Sequence, residues 1–96
     1  MSEFSFSNDQ AIHVSEGVLS RVLDEDTVLL DLDAGMYFGL NEVAGVAWSI
    51  IKEGTTVGAL RARLLEEFAV EPEQLDTDLE ELLVQLRDRR LIRLDA

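Results

Sequence analysis

Apolar and polar residues alternate with a period near two between Val18 and Leu40, and from Asn41 onward the period lengthens to 3.6. The first region predicts three strands, Val18 to Leu23, Thr27 to Leu32 and Met36 to Leu40, joined by the polar turn Asp24-Glu25-Asp26 and by Asp33-Ala34-Gly35. Gly35 suits the positive φ that a tight hairpin turn requires. Such a run forms an antiparallel meander. Residues 1 to 16 are polar and Ser-rich, with Phe4, Phe6 and Ile12 as their apolar anchors, and read as a flexible N-terminal tail before a domain spanning 17–96. A short strand through the Phe4/Phe6 alternation is the weaker option.

Asn41 is a good helix N-cap, and Ala44, Ala47, Trp48 and Ile51 then fall on one face of a first helix that ends at Gly54. Thr56 caps a second helix, with Val57, Leu60, Leu64 and Phe68 facing inward. Pro72 suits the first turn of a third helix, although Thr77 and Glu80 also have capping-box spacing, leaving two starts one turn apart. Its apolar stripe is Leu79, Leu82, Leu83 and Leu86, and Leu91-Ile92 close against the core. The expected fold is α+β, winged helix-turn-helix-like, with a three-stranded antiparallel sheet packed on three helices.

Charge narrows the function classes. Twenty acids against eight bases give a formal net charge of −12, and such a surface repels a phosphate backbone whatever its fold. Arg61, Arg63, Arg87, Arg89, Arg90 and Arg93 cluster late, but acids lie among them, so they read as a solvated helix face. The chain has no cysteine, which excludes a thiolate nucleophile and cysteine metal sites and fits a cytoplasmic protein. No apolar run approaches the roughly 20 residues that span a bilayer, and the first residues carry neither the basic nor the apolar region of a signal peptide.

No catalytic constellation emerges. His13 is the one histidine and has no Ser or Cys dyad suggested near it, so it reads as exposed or capping. The acids at 24–26 lack the spacing and glycine of a calcium loop. Gly35, Gly39, Gly45, Gly54 and Gly58 form neither a dinucleotide fingerprint nor a P-loop, and no cofactor or metal is expected. Glu66/Glu67 and Glu80/Glu81 face water on amphipathic helices, and Trp48 reads as core.

The third strand offers a binding surface instead. Met36, Phe38 and Leu40 share one face, and Tyr37 and Gly39 the other. Being last in the meander it is an edge with unpaired backbone groups, and a glycine inside a strand often marks close approach by another backbone. The alternatives are an edge blunted by its shortness and an edge that captures a peptide by strand addition. At 100° per residue, Leu82 lies at the margin of the third helix's stripe, beside Asp78, Gln85 and Arg89. A groove between that flank and the third strand has an apolar floor and a polar rim.

The runs Val28-Leu29-Leu30-Asp31 and Gly35-Met36-Tyr37-Phe38-Gly39-Leu40-Asn41, with Trp48, Gly54-Thr55-Thr56-Val57, the stretch from Asp78 to Leu86 and Leu91-Ile92, resemble the PqqD-like family. These are recognition elements for ribosomally made, post-translationally modified peptides. Within that family the pattern is most similar to the stand-alone recognition proteins of lasso-peptide biosynthesis. Arg90 departs from it, standing where a glycine is common, a change expected to do no more than lengthen the last helical turn.

The resemblance implies a non-catalytic protein that holds the leader of a precursor peptide as an added antiparallel strand on Met36, Tyr37, Phe38, Gly39 and Leu40. Asp78, Leu82, Gln85 and Arg89 would line the helix side of the groove, and an apolar pocket there would take the ring and proline of a Tyr-x-x-Pro motif. The implied partner is a separate leader peptidase of transglutaminase-like fold, with neither nucleic acid nor membrane involved. Three rivals stay open: a peptide chaperone for a radical SAM enzyme, a winged-helix DNA-binding protein, and a small structural subunit.

Overall fold

The computed structural model describes residues 6–24 and 26–95. Strand β1 (Ala11–Val14) is followed by a meander of β2 (Val18–Leu23), β3 (Asp26–Asp31) and β4 (Met36–Leu40). Helix α1 (Glu42–Glu53), the two-residue strand β5 (Thr55–Thr56), helices α2 (Val57–Glu67) and α3 (Pro72–Asp88), and β6 (Ile92–Leu94) complete the chain. The meander pairs in the order β2-β3-β4, and the remaining strands form a second antiparallel sheet, β5-β1-β6.

The α+β expectation of three strands and three helices therefore stands, with a second sheet added. The tail expected through residue 16 is corrected over Ala11–Val14, which pairs on both sides, and Ile12 is only 2 % exposed. The physical reason lies in the start of α2, whose first amides need acceptors. Val57 donates to the Gln10 carbonyl (2.9 Å) and Gly58 to that of Asn8 (3.0 Å). Phe6, half of the proposed Phe4/Phe6 strand, is buried in the core before β1 begins, and Phe4 lies outside the described residues.

The caps fall where the sequence puts them. Asn41 accepts from the Ala44 amide (2.8 Å), Thr56 from that of Ala59 (3.2 Å), and Gly54 ends α1 at φ 93°. Helix α3 starts at Pro72, and the Thr77 hydroxyl instead donates back to the Glu73 carbonyl (3.1 Å). The second strand of the meander stops at Asp31, not Leu32. The Asp31 Oδ1 accepts from the amides of Asp33 (3.1 Å) and Ala34 (3.2 Å), which turns the backbone early and leaves Leu32 61 % exposed. Gly35 adopts φ 68° in that turn.

One core joins these elements. Leu29, Leu40, Ala47, Trp48, Ile51, Leu60, Leu64, Leu79, Leu83 and Leu86 are all buried in it, so the meander packs on α1 and the helices pack on one another. Leu75 adds a turn to the predicted α3 stripe. Arg61 of α2 grips Asp76 of α3 with both Nε and Nη2, tying the two helices together. This hydrogen bonding raises the Arg61 pKa above its ordinary value, with burial opposing it.

Candidate groove between the edge strand and the third helix

Strand β4 pairs with β3 along one side, in a register that sets Met36 against Asp31, Phe38 against Leu29 and Leu40 against Thr27. Among the described residues its other side has no strand partner. The alternation of side chains follows from the pleat. Phe38 and Leu40 point toward the helices, and Leu40 is 3 % exposed; Tyr37, on the outer face, is 74 % exposed. Met36 shares the inner face but stays 57 % exposed.

Facing this edge is one row of α3 and its C-cap, spaced three and four residues apart: Leu75, Asp78, Leu82, Gln85 and, at the cap, Arg89. Between row and strand lies a groove of about 310 Å³. Its strand wall is Phe38, Gly39 and Leu40, continued by Asn41, and its helix wall includes Asp78, Leu82 and Gln85. Ala44 and Ala47 of α1 form part of the floor, where their small side chains leave the space open. A second, smaller cavity of about 90 Å³ continues beside it, lined by Met36, Tyr37, Phe38 and Arg89 together with Asp31. Phe38 borders both.

The structure thus gathers all nine sequence-predicted residues around two adjoining hollows, six on the larger and Met36, Tyr37 and Arg89 on the smaller. Leu82 is half-buried and packs against the core while lining the groove. Sequence reasoning missed Ala44, Leu75 and Glu81 as groove residues. Leu75 and Glu81 were legible in principle, since both flank the Asp78–Leu82 row, whereas the role of Ala44 depends on where α1 crosses beneath it.

Gly39 carries the most information. Its φ is not positive, and a Cβ built on it meets no atom within 4 Å. Neither its own backbone conformation nor packing within this chain demands a glycine there.

The late arginines are not a uniform solvated face. Arg89 stacks on the Phe38 ring (4.8 Å to the centroid), Arg87 lies 5.6 Å from that of Phe6, and Arg61 is held by Asp76. Arg90, expected to lengthen the last turn of α3, instead ends it at φ 61°. The Leu91 amide reaches back to the Leu86 carbonyl and the Arg90 amide to that of Arg87 (both 2.9 Å), closing a Schellman cap with Arg90 in the left-handed position where glycine is favoured.

His13 lies away from the groove, on β1, with Nε2 3.2 Å from the Asp95 carboxylate. Among the described residues no group of three or more His, Asp or Glu is placed to hold a metal ion, and no helix is long and apolar enough to cross a membrane.

A small α+β domain with an open sheet edge facing a helix across a groove is a peptide-docking architecture in outline. The chain belongs to the PqqD family: the model for coenzyme PQQ synthesis protein D matches residues 26–92, which include β3, β4 and all three helices. Two solved structures share the fold. TbiB1 in complex with the TbiA(beta) leader peptide is 31 % identical, with a TM-score of 0.77 over 84 % of this chain and 94 % of that one. Lasso peptide synthetase B1 complexed with the leader peptide is 22 % identical, with a TM-score of 0.74 over 85 % and 96 %. No curated protein matches the sequence.

Proposed function

We propose that this protein is a non-catalytic recognition element of lasso-peptide biosynthesis. It captures the leader of a precursor peptide as a strand added to β4 and presents it to a separate leader peptidase. The observation that carries this reading is Gly39, a glycine on an unpaired edge strand that its own chain does not require. Close approach by a second backbone accounts for it. The likeness to TbiB1, whose structure is a leader-peptide complex, supports the same ligand.

Affinity comes from ladder hydrogen bonds along Met36–Leu40 and from apolar anchors entering the groove against Leu82 and Phe38. Holding the leader raises the effective concentration of the scissile region at an enzyme that binds it poorly alone. A rival reading keeps the leader-binding groove and makes the partner a radical SAM enzyme. A gene neighbourhood with a transglutaminase-like peptidase supports the first partner, and one with a radical SAM enzyme supports the second. The charge of −12 weighs against duplex DNA as ligand.

Titration of a fluorescein-labelled synthetic leader, encoded beside the gene, tests the reading. Saturable binding is expected, weakened at least tenfold by Leu82→Glu and by Gly39→Val while circular dichroism stays native. A leader that fails to bind the folded wild-type protein sinks the proposal.

A further inference from the structure

The groove is electrically asymmetric along its length. Its helix row runs from Asp78 to Arg89, about 16 Å at the rise of an α-helix. Met36 to Leu40 spans about 13 Å of extended chain in the opposite sense. Asp78 and Glu81 are the ionisable residues lining the larger hollow, at the end that also holds Asn41 and Leu75. Arg89 is the one base lining either hollow, at the end that holds Met36 and Tyr37.

Arg89 is also placed to accept a carboxylate. Its guanidinium is held over Phe38, and among the described residues it makes no ion pair, in a chain with 20 acids and 8 bases. Asp31 borders the same cavity, but its Oδ1 is committed to the turn amides of Asp33 and Ala34. At the other end, Asp78 accepts one hydrogen bond from Gln74 through Oδ1 (3.0 Å). Among the described residues its Oδ2 accepts no hydrogen bond and makes no ion pair.

We infer that the groove reads the order of charges along the segment it binds: a basic residue toward the segment's N-terminal side, facing Asp78 and Glu81, and an acidic one toward its C-terminal side, facing Arg89. This rests on the strand-addition reading above, because an antiparallel strand on β4 begins beside Leu40 and ends beside Met36. Apolar anchors then supply affinity, while the two charged ends set direction and register. The opposite polarity places like charges together at both ends.

The test is a displayed library of the leader encoded beside the gene, each position replaced in turn by Lys and by Glu. It is selected on the wild-type protein, on Arg89→Glu and on Asp78→Lys/Glu81→Lys. On wild type, Glu is enriched over Lys by about three- to tenfold in the C-terminal half of the docking segment and Lys over Glu in the N-terminal half, the range for partly exposed charge pairs. Arg89→Glu reverses the preference only in the C-terminal half, and the double variant only in the N-terminal half. Position profiles that are the same on all three proteins overturn the inference while leaving strand addition standing. Failure of wild type to retain any leader variant overturns the reading beneath it.

Discussion

The guanidinium of Arg89 lies 4.8 Å from the centre of the Phe38 ring, so the last residue of the α3 row roofs the inner face of the edge strand. A cation–π contact at an exposed position contributes about 0.5–1 kcal/mol. Arg89→Ala is expected to lower unfolding free energy by no more than about 1 kcal/mol, measured by urea denaturation. A larger loss would make Arg89 chiefly a structural strut.

Arg90 holds φ 61°, a conformation that costs a residue with a Cβ about 1 kcal/mol or more relative to glycine. Arg90→Gly keeps the cap hydrogen bonds to Leu86 and Arg87 and removes that strain. The expected outcome is a gain of about 1 kcal/mol, visible as a rise of several degrees in Tm. Arg90→Ala, with the same strain, is expected to bring no comparable gain.

The grip of Arg61 on Asp76 joins α2 to α3, the helix that carries one wall of the groove. Removing one partner of a half-buried, charge-assisted pair costs about 1.5–3 kcal/mol. Asp76→Ala should fall in that range in chemical denaturation, with Asp76→Asn, which keeps one acceptor, losing less. It should also weaken leader binding, because the Asp78–Arg89 row shifts relative to β4.

Gly58 is the second residue of α2, where helix propensity alone favours alanine by about 1 kcal/mol. A Cβ there would come 2.9 Å from the Asn8 Cβ and 3.1 Å from the Asn8 carbonyl oxygen. Gly58→Ala is therefore expected to destabilise, and to speed hydrogen exchange at the amides of Val57 and residue 58, whose acceptors are Gln10 and Asn8. A stabilised variant with unchanged exchange would show that the segment before β1 yields without cost.

Local rules made much of this molecule legible in its sequence. Asn41 and Thr56 act through side-chain oxygens on amides three residues on, and Gly54 and Gly35 through their own backbone conformation, so the caps, the hairpin turn and the three helices follow from spacing alone. The period of two placed Phe38 and Leu40 on one face of β4, and the period of 3.6 placed Asp78, Leu82, Gln85 and Arg89 on one flank of α3. What only the tertiary structure decided was every relation between segments distant in the chain. Residues 8–14 look like a polar tail by composition. Their carbonyls are ordered because α2 presents orphan amides and because Thr55–Thr56 and Ile92–Leu94 arrive on either side of β1. The depth of the groove was equally hidden, since it depends on α1 passing its two alanines beneath the gap between β4 and α3. Periodicity reports which face an element buries, but the distance between two faces is set by packing across the core, and that information is spread over residues far apart in sequence.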